Sequence, residues 1–252
     1  MPRRKLIAAN WKMQMTIRGA RAFAERLKSN VTDDPGMDLT LFPPFFALAV
    51  TAEILEGTRV AVGAQDVFWE KTGAYTGEIS GEMVVEAGGT SVIIGHSERR
   101  HVIGETNQIV AKKLMAGLDA GLTPVLCVGE TISQRDAGQA ERVVEEQLET
   151  ALAGVFEAQI ERIVIAYEPV WAIGTGKTAT PEDAVAMHRF VRRSVKNRFG
   201  SAVSERLRIL YGGSVKPENA RGLLRQAEID GALVGGASLD ADSFLRIADA
   251  VR

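Results

Sequence analysis

The residues able to do chemistry stand at the ends of short apolar runs. In Ile165-Ala166-Tyr167-Glu168-Pro169-Val170-Trp171-Ala172-Ile173-Gly174-Thr175-Gly176-Lys177-Thr178-Ala179, a carboxylate closes a β-rich run and a glycine-bearing loop follows. Burial there predicts a Glu168 pKa raised toward the range useful to a general base. Pro169 stiffens the exit. Two glycines among small and apolar residues are the makeup of a lid that excludes water and offers backbone N–H groups to an anion. A plain surface loop is the competing reading, and two nucleotide motifs are partly matched. Gly176-Lys177-Thr178 has the form of a P-loop's end, but glycine belongs five positions before Gly176 and Trp171 stands there. Gly174-Thr175-Gly176 followed by Ala179 loosely fits a dinucleotide fingerprint, yet it does not directly follow a strand.

Ile93-Ile94-Gly95 runs into His96, and Ser97-Glu98 has the form of a helix start. An imidazole beside a helix N-terminus is disfavoured as a cation, so a neutral His96 could donate a hydrogen bond to a carbonyl. The other histidines, His101 and His188, are expected to be solvated. In Asn10-Trp11-Lys12, strand alternation turns Asn10 and Lys12 one way and Trp11 the other. Lys12 is thereby available to a phosphate or a developing oxyanion; a snorkelling lysine at a strand edge is the plain alternative. Two glycine motifs close the chain, Tyr211-Gly212-Gly213-Ser214 and Leu233-Val234-Gly235-Gly236-Ala237. Glycine allows close backbone approach, and a helix starting just beyond favours negative charge.

These residues need elements to position them. Candidate strands are Leu6–Asn10, Asp38–Phe42, Val60–Ala64, Ser91–Gly95, Thr123–Val128, Ile163–Tyr167, Leu207–Tyr211 and Ala232–Gly235, separated by helical stretches such as Thr16–Ser29, Ala140–Ala153, Pro181–Phe199 and Ala241–Val251. Strands apolar on nearly every residue are buried on both faces, as in a parallel sheet covered by helices. About eight strand–helix units in a chain of 252 residues predict a closed (β/α)8 barrel and one domain over 1–252, with an open doubly wound sheet as the competitor. In either fold the polar residues after the strands gather on one face, Asn10, Lys12, Gln65, His96, Glu130, Glu168, Ser214 and Gly235-Gly236 among them. Paired loops after the last two strands are a recurrent phosphate site of the barrel.

With 30 basic and 32 acidic residues, the balance argues against nucleic acid or an anionic membrane as main partner. The single cysteine, Cys127, allows no intrachain disulfide and fits a reducing compartment. The apolar stretch after Arg3-Arg4-Lys5 is too short for an export signal, and no run approaches the roughly 20 residues that span a bilayer. A soluble, cytoplasmic protein is expected.

Taken in order, Asn10-Trp11-Lys12, Gly95-His96-Ser97-Glu98-Arg99-Arg100, Ala166 through Gly176, Tyr211-Gly212-Gly213-Ser214 and Leu233-Val234-Gly235-Gly236-Ala237 resemble the triosephosphate isomerase family from Asn10 to about Leu239. The resemblance implies cofactor-free and metal-free interconversion of dihydroxyacetone phosphate and D-glyceraldehyde 3-phosphate through an enediolate, in glycolysis and gluconeogenesis. By matching position it implies Glu168 as base, His96 as electrophile, Lys12 and Asn10 at the substrate, and Gly174, Ser214, Gly235 and Gly236 at its phosphate. It also implies a homodimer, with Gln65-Asp66-Val67 through Ser80 as the loop inserted beside the neighbouring site. Asp66 stands where the family usually has Asn. Cys127 matches a family cysteine near the catalytic carboxylate, and reads equally well as packing. An aldolase using Lys12 as a Schiff base, an inactive scaffold and a nucleotide binder are the rival readings.

Overall fold

Every one of the expected apolar runs forms a strand, and the strands close on themselves in chain order. In the computed structural model, which describes residues 3–31, 36–173 and 179–251, β1 (Lys5–Asn10), β2 (Met37–Phe42), β3 (Val60–Ala64), β4 (Ser91–Ile94), β5 (Thr123–Val128), β6 (Val164–Tyr167), β7 (Arg208–Tyr211) and β8 (Gly231–Val234) pair as neighbours. All pairs are parallel, and β1 also pairs with β8, so the barrel closes. The open-sheet alternative is thereby excluded. Strand boundaries differ from expectation by a residue at most. One case has a clear cause: β4 stops at Ile94 because Gly95 takes φ +69, a left-handed conformation that leaves the ladder.

The period-two alternation of the strands sorts side chains into two layers. Leu6, Ala8, Phe42, Ile93, Val125, Cys127, Val164, Ala166, Leu210 and Leu233 form the barrel interior. Their neighbours, such as Ile7, Ala9, Ile165, Tyr167, Ile209 and Val234, face outward and pack under the helices. Continuing the inward phase past each strand end puts Asn10 after Ala8 and Glu168 after Ala166, both at the mouth. Covering helices include Ile17–Asn30, capped by Thr16, and Pro181–Phe199, capped by Thr180 with Pro181 in its first turn. The latter buries Ala184, His188, Val191 and Val195, a four-three-four stripe facing the barrel.

His188 is thus fully buried, which corrects the expectation that it is solvated. Its Nδ1 lies 3.1 Å from the Glu228 carbonyl oxygen, and its ring meets Tyr167 edge-on. His101 is exposed, as expected.

Candidate active site

Asn10, Lys12, His96, Glu168, Ser214, Gly235 and Gly236, from five separate loops, line one cleft of about 600 Å³ at the C-terminal ends of the strands. Gly174 lies outside the described residues, as does the rest of 174–178, on which most of the expected lid falls.

Glu168 continues the inward phase of β6 and is buried. Its Oε1 is 3.0 Å from His96 Nε2, and its Oε2 accepts the Ser97 backbone N–H at 2.8 Å. Burial alone would raise its pKa. The adjoining His96, the Ser97 N–H and the nearby Lys12 outweigh burial, so the carboxyl is held below its usual range. This corrects the expected upward shift, because the buried carboxylate is here paired first with His96 and also tied to a backbone donor. Freed from Ser97 it would lose one of the contacts that favour the charged form.

His96 owes its orientation to Gly95. Ile93 points inward, so strict alternation would turn Gly95 in and His96 out, and the left-handed step at Gly95 re-aims the chain. A Cβ on Gly95 would also meet Arg100 and Val110 at 2.9 Å. The Glu98 backbone N–H donates to His96 Nδ1 at 3.2 Å. That donation assigns the lone pair to Nδ1 and the proton to Nε2, directed at Glu168. Burial opposes a charge on this ring, but Glu168, and then Glu98, draw its pKa upward overall. The expectation of a depressed imidazole pKa is therefore corrected for this arrangement. What favours a neutral donor is the hydrogen bond at Nδ1.

Lys12 lies beyond the end of β1 with φ +54, an uncommon conformation for a residue with a side chain. Its backbone N–H donates to Asn10 Oδ1 at 2.9 Å, and its carbonyl accepts Gln65 Nε2 at 2.8 Å. These two amides hold the turn. The Lys12 ammonium reaches Glu98 Oε1 at 2.6 Å, while Trp11 points away and packs edge-on against Phe23. The alternation argument therefore gave the correct sides, although the chain at Lys12 is no longer a strand.

Several supporting residues take parts that the sequence did not specify. Gly212 lets the chain leaving β7 pass close to Glu168: a Cβ there would stand 2.7 Å from Glu168 Cγ. Arg100 donates to the Gly95 carbonyl at 2.7 Å, to Asn107 and to the Cys127 carbonyl, fixing the turn behind His96. Glu130, fully buried, accepts the Tyr167 hydroxyl and Trp171 Nε1, the latter at 2.8 Å, and so anchors the segment that follows Glu168. Burial, and then Glu130, push the Tyr167 phenol well up. The position of Glu130 and Gln65 just after strands is a signal in the sequence; that of Arg100, in the short helical segment Arg99–Ile103, is not. Cys127 is buried inside the barrel, and burial followed by the charge on Glu168 raises its thiol. Among the described residues no group of three or more His, Cys, Asp or Glu is gathered in a way that could hold a metal.

An acidic group, an imidazole N–H and an ammonium thus face one space, which glycine-rich backbone also lines. Such a set can take a proton from carbon while stabilising an adjacent oxyanion. The family model described as triosephosphate isomerase matches residues 5–251. The triosephosphate isomerase of Roseiflexus sp. (strain RS-1) is 54% identical over 245 residues, covering 97% of this chain and 96% of its own. Those of Solibacter usitatus (strain Ellin6076) and Rhodopirellula baltica (strain DSM 10527 / NCIMB 13988 / SH1) are each 49% identical, with 97% and 98% of this chain covered and 98% and 97% of theirs.

Proposed function

The chain belongs to the triosephosphate isomerase family and interconverts the two triose phosphates, and from that premise we propose how its own residues divide the work, as one barrel domain over 1–252. The observation that carries the proposal is the convergence of Glu168, His96 and Lys12 on one cleft.

Substrate phosphate is held by backbone at Ser214, Gly235 and Gly236, with Gly174 completing the site. Gly235 lies beside the Lys12 stem, where a Cβ would meet Cε at 3.3 Å, so the ammonium and the phosphate loop are neighbours. Glu168 gives up the Ser97 N–H, turns to the substrate and removes a proton from the carbon between hydroxyl and carbonyl. The C–H electron pair becomes the carbon–carbon double bond of an enediolate. Charge passes to the former carbonyl oxygen, where His96 Nε2–H donates and Lys12 neutralises. Asn10 fixes the turn that presents Lys12. A proton moves between the two oxygens, and Glu168 returns its proton to the neighbouring carbon. General-base action supplies about 10²–10⁴-fold, so positioning and electrostatics must supply the remainder.

A coupled assay of triose phosphate interconversion tests this with Glu168→Gln. Turnover falls by about 10³-fold or more, while inorganic phosphate still inhibits residual activity with a little-changed constant. Equal loss of turnover and phosphate binding would make Glu168 a structural residue.

Self-association as a homodimer is part of the proposal. Exposed apolar side chains follow four consecutive strands: Met13 after β1, Phe45 and Phe46 after β2, Tyr75 after β3, Val102 and Ile103 after β4. Phe68 stacks on Trp69 and meets Tyr75 at 4.5 Å, stiffening the loop that would insert. Exposed apolar side chains collected at one end of the barrel favour an interface there. Sedimentation giving the mass of a single chain at micromolar concentration would refute it. A cytoplasmic location is supported by the single buried cysteine. Among the described residues no helix is long and apolar enough to cross a membrane.

A further inference from the structure

The loop after β3 and the turn after β4 carry separate parts of the site, and a ring of four charges joins them. Lys113 Nζ and Arg99 Nη2 both reach Asp66 Oδ2, at 2.6 and 2.9 Å. Lys113 and Arg99 also both bind Glu105 Oε1, Arg99 Nε at 2.6 Å. Asp66 is bonded in sequence to Gln65, whose amide holds the Lys12 carbonyl. Arg99 donates its backbone N–H to the His96 carbonyl at 2.8 Å, and Glu105 N–H closes back on Arg99. The ring therefore connects the support of Lys12 to the support of His96. It is charge-balanced only while Asp66 is ionised.

Resting on the site assignment above, we propose that Asp66 is a positioning residue whose ionised form clamps the Lys12 support to the His96 turn, and whose protonation releases that clamp. The ionised clamp has a cost. Asp66 Oδ1 and Glu105 Oε2 are buried and accept no hydrogen bond among the described residues. Taking such a carboxylate out of water with one oxygen unsatisfied offsets the attraction of two cations. Burial is the largest influence and pushes the Asp66 carboxyl up to about 6, against Lys113 and Arg99, which pull it down, while Glu105 adds to the rise. Protonation would leave Lys113 and Arg99 with only the Glu105 carboxylate between them. The clamp fixes geometry at the expense of stability.

Asp66→Asn removes the titration and keeps the shape, so the two proteins should converge in acid and diverge above neutrality. The test is kcat and KM of both across pH 5 to 8. Substrate phosphate titrates alike in both and cancels in the ratio. The kcat ratio of parent to D66N should rise about threefold or more through pH 6, with little change in the KM ratio. A flat or falling ratio overturns the proposal.

Stability gives an independent readout of opposite sign. An acid whose folded pKa is raised contributes stability below its unfolded value, near 3.8, that is lost as pH rises through 6. D66N should therefore melt above the parent by a margin that grows from pH 4 to 6 and then levels. Should D66N fail to fold, carboxyl carbon NMR of the parent still decides: an Asp66 midpoint below 4.5 overturns the proposal. Failure of the site assignment itself would show instead as activity surviving Glu168→Gln.

Discussion

At the N-terminal ends of the strands, Arg3 and Arg192 converge on Asp230 at 2.6 and 2.7 Å, and Asp230 also accepts the Ile209 N–H. Beside it Asp38 takes Arg4 and Arg208, so each carboxylate is shared between two guanidinium groups. At the C-terminal ends similar residue types are arranged to a different end. Lys12 is held in a left-handed turn with its ammonium on a half-exposed Glu98, and the Glu168 carboxylate leans on a titratable ring and one backbone N–H. The first rim saturates its charges with partners that cannot titrate near neutrality. The second keeps its charges in contacts a substrate can displace. One barrel can do both because its interior layer separates the two ends.

The comparison breaks most visibly if the lower rim can be altered at no cost. Asp230→Ala leaves two arginines facing each other with their shared carboxylate gone, and such losses typically cost about 3–5 kcal/mol. Denaturant unfolding should show a drop of that order, with kcat per folded molecule unchanged. Lys12→Met makes the converse case. On the proposed division of work it removes a cation from the site of developing charge, and it touches none of the pairs at the lower rim. Loss of a single electrostatic donor typically costs about 10²–10³-fold in rate. The melting temperature should hold while kcat/KM falls by that factor; a stability loss matching that of Asp230→Ala would erase the distinction between the rims.

Much of this was legible because strands buried on both faces are apolar at nearly every position, and β3 and β5 begin and end where the sequence expects. Site residues were legible as polar interruptions at strand ends. Electrostatic directions were not. Glu168 was expected to shift upward because its burial can be inferred locally, whereas His96, which does most to reverse the shift, and the Ser97 N–H, which adds to it, come from a loop some 71 positions away. His188 was misplaced for a different reason. Its position in the stripe Ala184, His188, Val191, Val195 was a usable signal, but a lone polar side chain in a helix is equally compatible with the solvated face. The role of Gly95 was equally hidden, since only the closed barrel shows that its left-handed step turns His96 inward.

His188 offers the finest test, because it lies between the rims. Its Nδ1 is against the Glu228 carbonyl near the lower end, and its ring edge meets Tyr167, whose hydroxyl donates to Glu130 at the catalytic end. Its Nε2 is buried without a hydrogen bond among the described residues. Burial, helped by Arg192, holds its pKa down to about 4 from 6.5, so the fold favours the neutral ring. Stability from this group is complete above 6.5 and is lost as pH falls toward 4, by about 3 kcal/mol over that range. His188→Gln should remove that acid loss. Asp66, which titrates with the opposite sign, is common to both proteins and cancels in the difference. The quantity to read is therefore the stability difference against pH, not its absolute size. If the rims are independent, the ratio of kcat between parent and H188Q stays constant while that difference changes. A kcat ratio that moved in step with stability would mean acid at the lower end reaches the catalytic mouth through Tyr167.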